Sequence, residues 1–228
     1  ESRGLGDVYK RQIMDAQETL DKWKEDFDEL VESGDLEAAH KLELDLSNLE
    51  LTEIPSQIFS YDVRYLNLDD NNISRIDHLP RKLVSLSCQN NTLEKLGKLP
   101  KELEILNLRN NDLEYLPRLP NYLDSLDCSD NALNQLPELN YSLRFLYCEN
   151  NSLTYLPELP IGLLELDCSN NNISSLPYLP NGIVKFYAQK NPLEVEPNRP
   201  SSAYDFKLPA MIDQRNFNNW SESQNQLT

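Results

Sequence analysis

From residue 44 onward, apolar and polar positions recur every 20 residues. One apolar column reads Leu66, Leu86, Leu106, Leu126, Leu146, Leu166, Phe186. A second reads Val63, Leu83, Leu103, Leu123, Leu143, Leu163, Ile183, and a third Leu68, Cys88, Leu108, Cys128, Cys148, Cys168, Ala188. Two more begin at Ile73 and Ile76. Between them stands a polar column, Asn71, Asn91, Asn111, Asn131, Asn151, Asn171, Asn191. Around the Leu and Leu/Cys columns the apolar residues alternate with polar ones, which predicts a short strand with Leu and Cys turned inward. Seven units fill residues 63–195. A less regular eighth precedes them at residues 44–55, with Leu49 in the Asn position, as suits a terminal unit. Self-similarity at this period predicts a solenoid.

The strands are expected to stack in parallel and line the concave side of an arc. The Asn column falls where each strand turns away. An amide side chain has donors and an acceptor, so stacked Asn residues can satisfy the turn's buried backbone groups. Proline occupies two more columns, Pro117, Pro137, Pro157, Pro177 and Pro80, Pro100, Pro120, Pro160, Pro180. Proline fixes φ and cannot donate to a ladder, so the convex side should be extended and without helices. Bends set by proline fit the composition, 14 Pro against 6 Gly. Before the repeats, Leu20, Trp23, Phe27, Leu30 and Val31 share one helical face over residues 15–32. Asp15 and Glu18 resemble a capping box, Gly34 is a C-terminal stop, and residues 36–40 suit a short second helix. The expected role of residues 14–41 is a lid on the first repeat's apolar edge.

The unit L-x-x-L-x-L/C-x-x-N-x-L-x-x-L-P-x-L-P-x is the leucine-rich repeat pattern in its shortest length class. Its proline-containing segment, Leu116-Pro117-Arg118-Leu119-Pro120-Asn121-Tyr122-Leu123-Asp124-Ser125-Leu126, resembles the bacterial effector repeats of the YopM and IpaH type. The resemblance covers about residues 42–197, and residues 44–55 resemble that family's first unit. It implies an α/β repeat solenoid: a leucine-rich repeat arc with parallel concave strands, an extended proline-rich convex side and an N-terminal α-helical cap. Residues 198–228 are then a C-terminal cap or the start of a missing domain. A helix over residues 208–220 would cover the last repeat with Met211, Ile212, Phe217 and Trp220. Residues 2–12, SRGLGDVYKRQ, match the in-frame translation of a transposase sequencing adaptor. Residues 1–13 are therefore expected to be adaptor-derived or a disordered tail, with upstream sequence, a targeting signal included, open to loss.

Charge narrows the partners. Acids outnumber bases 38 to 21, for a net charge of −17. Nucleic acid and anionic membranes need a basic surface, so neither is expected, and no apolar run is long enough to span a bilayer. Residues 15–37 hold ten acids and two lysines. The four cysteines lie in an inward column, which reads as small hydrophobes and retained thiols, and favours a reducing compartment: the cytoplasm, or a host cytoplasm after delivery. IpaH-type ubiquitin ligases carry a catalytic Cys with Asp two residues later. Cys128-Ser129-Asp130 matches by letter, but in a repeat's core column a thiol would be inert. The two histidines are far apart, and no phosphate loop, nucleophile elbow or metal cluster is visible, so no enzyme activity and no cofactor are expected.

What remains is the concave surface. Its outward positions offer Tyr65, Ile105, Arg109, Asp127, Phe145, Tyr147, Glu149, Asp167 and Tyr187 as the candidate partner-binding set. Phe145, Tyr147 and Tyr187 form an aromatic patch, and aromatics anchor interfaces. Asp45, Asp69, Asp127, Asp130, Glu149, Glu165 and Asp167 ring it and favour a basic protein partner. The expected function is a non-enzymatic protein-interaction module, monomeric and possessed of an effector's repeats. Two alternatives stay open: the substrate-recognition region of a truncated effector ubiquitin ligase, and a secreted or surface adhesion repeat.

Overall fold

The computed structural model describes residues 2–194 and 197–208, with side chains from residue 14 onward. Helix α1 (Ser2–Ser33) and helix α2 (Leu36–Lys41) lead into the repeats. Strands β1 (Glu43–Asp45), β2 (Tyr65–Asn67), β4 (Ser85–Ser87), β6 (Ile105–Asn107), β7 (Ser125–Asp127), β8 (Phe145–Tyr147), β9 (Glu165–Asp167), β10 (Lys185–Tyr187) and β11 (Asp205–Lys207) form one nine-stranded parallel sheet. Its register equals the repeat: Leu44, Leu66, Leu86, Leu106, Leu126, Leu146, Leu166, Phe186 and Phe206 are successive partners. The middle residue of each strand from β1 to β10 is buried and its flanking residues are not, as period-two alternation requires. The apolar columns join into one continuous core running the length of the arc.

Each Asn of the ladder ties two repeats together. Asn111 Oδ1 accepts from Leu93 N at 2.9 Å, while its Nδ2 donates to Cys88 O at 2.9 Å and Leu108 O at 3.0 Å. Asn71, Asn91, Asn131 and Asn171 repeat this pattern, the acceptor in each case serving the preceding unit. Just before the ladder residue, Asn48, Asp70, Asn90, Asn110, Asp130, Asn150, Asn170 and Lys190 all have φ between 53° and 57°. Asn and Asp tolerate this left-handed conformation better than other non-glycine residues. This column, together with proline, lets the chain turn with so few glycines.

Several expectations change. Helix α1 begins at Ser2, so Asp15 and Glu18 lie inside it and not at its N-terminus; Thr19 Oγ1 donates to Asp15 O at 3.0 Å within the helix. Its buried line is Ala16, Leu20 and Trp23, with Phe27 stacked 5.2 Å from Trp23, whereas Val31 is exposed. Gly34 does end the helix, at φ +82°, with Asp35 N donating to Leu30 O and Gly34 N to Val31 O, a Schellman closure. Among the described residues the convex side carries one 3₁₀ helix, Ser56–Ser60, in the link after the first unit. The repeat also runs further than residue 197. Ala203, Phe206 and Leu208 continue the three apolar columns, and Phe206 packs 4.8 Å from Phe186. Of the C-terminal helix expected over residues 208–220, all but Leu208 lies outside the described residues.

A second, two-stranded ribbon sits on the convex side, where β3 (Arg75–Ile76) pairs with β5 (Lys95–Leu96). It exists because the column that reads Pro117, Pro137, Pro157 and Pro177 later in the chain has Gly97 here. Gly97 N donates to Ile76 O at 2.7 Å, a bond no proline can make. A Cβ on Gly97 would lie 2.3 Å from Asp77 O, so glycine is required. Among the described residues, the ribbon stops at β5, before the Pro117 unit.

Asn111→Ala would leave Leu93 N–H buried without its acceptor and take one of two amide donors from each of Cys88 O and Leu108 O, which Asn91 and Asn131 continue to serve. At about 1–3 kcal/mol for an unsatisfied buried group, we expect a loss of about 2 kcal/mol in urea unfolding. A loss below about 1 kcal/mol would show that the ladder is not a main support of the arc.

Candidate interaction surface

The outward strand positions serve two purposes. One column reads Asp45, Asn67, Ser87, Asn107, Asp127, Tyr147, Asp167, Tyr187. Where it holds Asp or Asn, the side chain usually caps the backbone two residues on: Asp45 accepts from Ser47 N, Asn67 from Asp69 N, Asn107 from Arg109 N, Asp127 from Ser129 N and Asp167 from Ser169 N. These are Asx turns that close each strand. Asp69, one column over, accepts from Ser87 Oγ, Gln89 N and Gln89 Nε2. Much of the acidic ring is therefore structural. Tyr147 and Tyr187 break the capping rule, since each puts an aromatic ring where its neighbours place a cap.

Those two rings bracket Asp167, because β8, β9 and β10 align Tyr147, Asp167 and Tyr187 in one row. Tyr147 Oη donates to Glu165 Oε2 at 2.9 Å, and Glu165 also receives Lys185 Nζ at 2.8 Å. Tyr187 Oη donates to Asp205, and Lys207 Nζ lies 4.7 Å from the centre of its ring. The Asp205 bond holds the Tyr187 phenol up to about 12, and burial with the Glu165 bond raises that of Tyr147 as well. Phe145 is half-buried in the neighbouring row, with the Arg144 guanidinium 5.4 Å from its ring centre. A hollow of about 490 Å³ lies against this patch, lined by Asp167, Ser169, Tyr187, Gln189, Lys190 and Lys207 among others.

Arg109 and Glu149 join the same surface from the next column. Arg109 reaches Asp130 at 2.9 Å and Glu149 at 3.5 Å. Burial, reinforced by Asp167 and Asp127, lifts the Glu149 carboxyl from 4.5 to about 7. Glu149 Oε2 and Gln189 Oε1, each two residues after a Tyr of the patch, are buried acceptors without a donor among the described residues. Asp127, Phe145, Tyr147, Glu149, Asp167 and Tyr187 are thus brought together, with Arg109 at the edge. Ile105 is exposed one strand beyond Ser125, and Tyr65 lies four strands from Phe145, roughly 19 Å at ~4.8 Å per strand. Lys207 and Asp205 complete the patch and were missed from the sequence, although Ala203-x-x-Phe206-x-Leu208 continues the repeat.

The four thiols sit behind this surface. Cys88, Cys128, Cys148 and Cys168 are all free and fully buried. Burial pushes the Cys88 thiol up to about 12 and raises the other three as well, so none is a ready nucleophile, Cys128 included. Among the described residues, no cluster of His, Cys, Asp or Glu could hold a metal ion, and no helix is long and apolar enough to cross a membrane.

The fold is similar to that of YopM from Yersinia pestis, a leucine-rich effector protein: 32% identity and a TM-score of 0.63 over 77% of this chain and 58% of that one. YopM from Yersinia enterocolitica WA-314 is 30% identical with a TM-score of 0.57, over 70% of this chain and 40% of the other. A Shigella effector leucine-rich repeat domain, 23% identical, shares the fold with a TM-score of 0.62 over 90% of this chain and 98% of its own. This chain thus spans about half the length of the YopM chains. No family profile and no curated protein matches it.

Two measurements test these assignments. A carboxyl raised on folding adds stability that is full below the unfolded value of 4.5 and is lost as pH climbs through about 7. Glu149→Gln should therefore lose less stability than the native chain between pH 4.5 and pH 7.5 in thermal melts; parallel curves would contradict the assignment. The thiols should react with a disulfide reagent at least 100-fold more slowly in buffer than in 6 M guanidinium, and equal rates would show that they are exposed.

Proposed function

This chain is a leucine-rich repeat protein with repeats of the bacterial-effector type, and on that premise we propose that it captures a protein partner on its concave face. The partner seats on Phe145, Tyr147 and Tyr187. The observation that carries this reading is the exception at Tyr147 and Tyr187, where rings replace the Asx caps found along most of the column. At Ser87, the other departure from the rule, Asp69 takes over the Gln89 N–H, whereas the two rings add apolar contact area. Tyr rings supply large, rigid contact area and a hydroxyl, the combination favoured at binding hot spots.

The partner presents lysine or arginine. Glu149 Oε2 and Gln189 Oε1 lack donors beside the patch, and a partner cation close to Glu149 favours its ionised form. Asp127 and Asp167 add to the negative field. The four free thiols suit a reducing compartment, a cytoplasm or a host cytoplasm reached by delivery. In this reading the chain acts by binding rather than by catalysis, which the burial of all four cysteines supports.

A photo-crosslinker at Ser125, inside the concave face, should capture partner from a source lysate, and one at Tyr178 on the convex side should not. Phe145→Ala/Tyr147→Ala should reduce capture at least tenfold against Tyr178→Ala. A captured partner should also bind more tightly as pH rises from 6 to 8, because cation binding releases the Glu149 proton. Undiminished capture by the double variant would remove the site assignment, and a flat pH profile would remove the basic partner.

A further inference from the structure

The charge of this protein is not spread evenly. Residues 74–101 contain six of its 21 Lys and Arg, namely Arg75, Arg81, Lys82, Lys95, Lys98 and Lys101, against only two acids, Asp77 and Glu94. In a chain of net charge −17 this segment is cationic. The bias belongs to the convex side. One convex column reads His78, Lys98, Arg118 and then Glu138, Glu158, changing sign halfway along the arc. Arg75 and Lys82 are paired, with Asp77 and Asp62. Among the described residues Arg81, Lys95, Lys98, Lys101 and Arg118 make no ion pair, and all are exposed.

At this place the convex side also opens. The ribbon of β3 and β5 stops because Pro117 cannot donate to Leu96 as Gly97 donates to Ile76. Between the two links lies a groove of about 770 Å³. Its apolar lining includes Leu99, Leu119 and Pro117, and the exposed Tyr122 stands beside it. Its charged lining residues are Lys98, Lys101 and Arg118, and no acid is among them. Its walls are two non-helical links, residues 97–100 and 117–120, each followed by a turn.

We infer that this convex groove docks an extended acidic segment of a partner protein, with its carboxylates on Lys98, Lys101 and Arg118 and its apolar residues against Leu99, Leu119 and Tyr122. Charge complementarity selects the occupant. The three unpaired cations repel a basic segment, and a neutral one would cover them without supplying a counter-charge. Arg118 adds bidentate recognition of a carboxylate, and Lys98 and Lys101 act as point charges. The protein then carries two faces of opposite preference, a concave one for a basic partner and a convex one for an acidic segment. The convex site does not depend on the concave reading.

The test uses the full chain and a fluorescein-labelled ten-residue peptide, Glu-Leu repeated five times, read by fluorescence polarisation. Saturable binding is expected, weakened at least tenfold by Lys98→Glu/Arg118→Glu and at least threefold by the milder Lys98→Gln/Arg118→Gln. Both variants should keep the native melting temperature. Phe145→Ala/Tyr147→Ala should bind the peptide as the native chain does, which separates this site from the concave one. Equal binding by the charge variants, or no saturation, would overturn the proposal. So would concentration-dependent self-association in sedimentation that Lys98→Glu/Arg118→Glu abolishes while peptide fails to bind, because a second copy would then be the occupant. Binding confined to vesicles containing 30% phosphatidylserine would assign the groove to a membrane and overturn it equally.

Discussion

The structure depends on the way a single asparagine side chain satisfies backbone groups of two successive turns. In a solenoid the chain leaves each strand inside the stack, where water cannot reach every peptide group. A buried N–H or C=O left unpaired costs about 1–3 kcal/mol. Asn71 through Asn191 answer that cost once per unit, each amide donating to carbonyls of its own and the preceding repeat. Because the partner groups lie in the neighbouring unit, the ladder also sets the register. Leu66 meets Leu86 and Leu106 without slippage along the whole sheet.

Once the inner side is regular, the outer positions are free to differ, and their differences carry meaning. Asx caps at Asp45, Asn67, Asn107, Asp127 and Asp167 define what the concave column does for the fold alone. Tyr147 and Tyr187 stand out against that background. On the convex side proline is the rule, and Gly97, like Asp77 before it and Asn140 in the second column, departs from it. Gly97 permits one backbone bond more than its proline sisters, and the ribbon it completes ends beside the cationic groove. At both places a repeat's own regularity supplies the control.

Charge reads differently with the fold in hand. A net charge of −17 describes the molecule poorly, because acids on the concave face are partly used up in caps and ion pairs, while Lys98, Lys101 and Arg118 gather on the other side. Glu149 shows the same point at one residue. In sequence it is one acid among 38 Asp and Glu; in the stack its carboxyl is held near neutral titration by burial beneath neighbouring acids.

The sequence by itself determined the arc: strand positions, inward columns, the Asn ladder and the absence of reactive thiols all follow from a strict period of 20 residues, because period and alternation are local properties. It also placed the aromatic patch, since identical registers make neighbours of residues 20 or 40 apart. Tertiary structure decided what depends on residues meeting across units or beyond the clear repeat. Helix α1 runs back to Ser2, and Phe206 packs against Phe186 as β11 extends the sheet. Lys207 reaches Tyr187, and the ribbon at Gly97 stops where proline begins. Those outcomes turn on distances between backbones and on which carboxylate is already bonded, quantities that no column of letters contains.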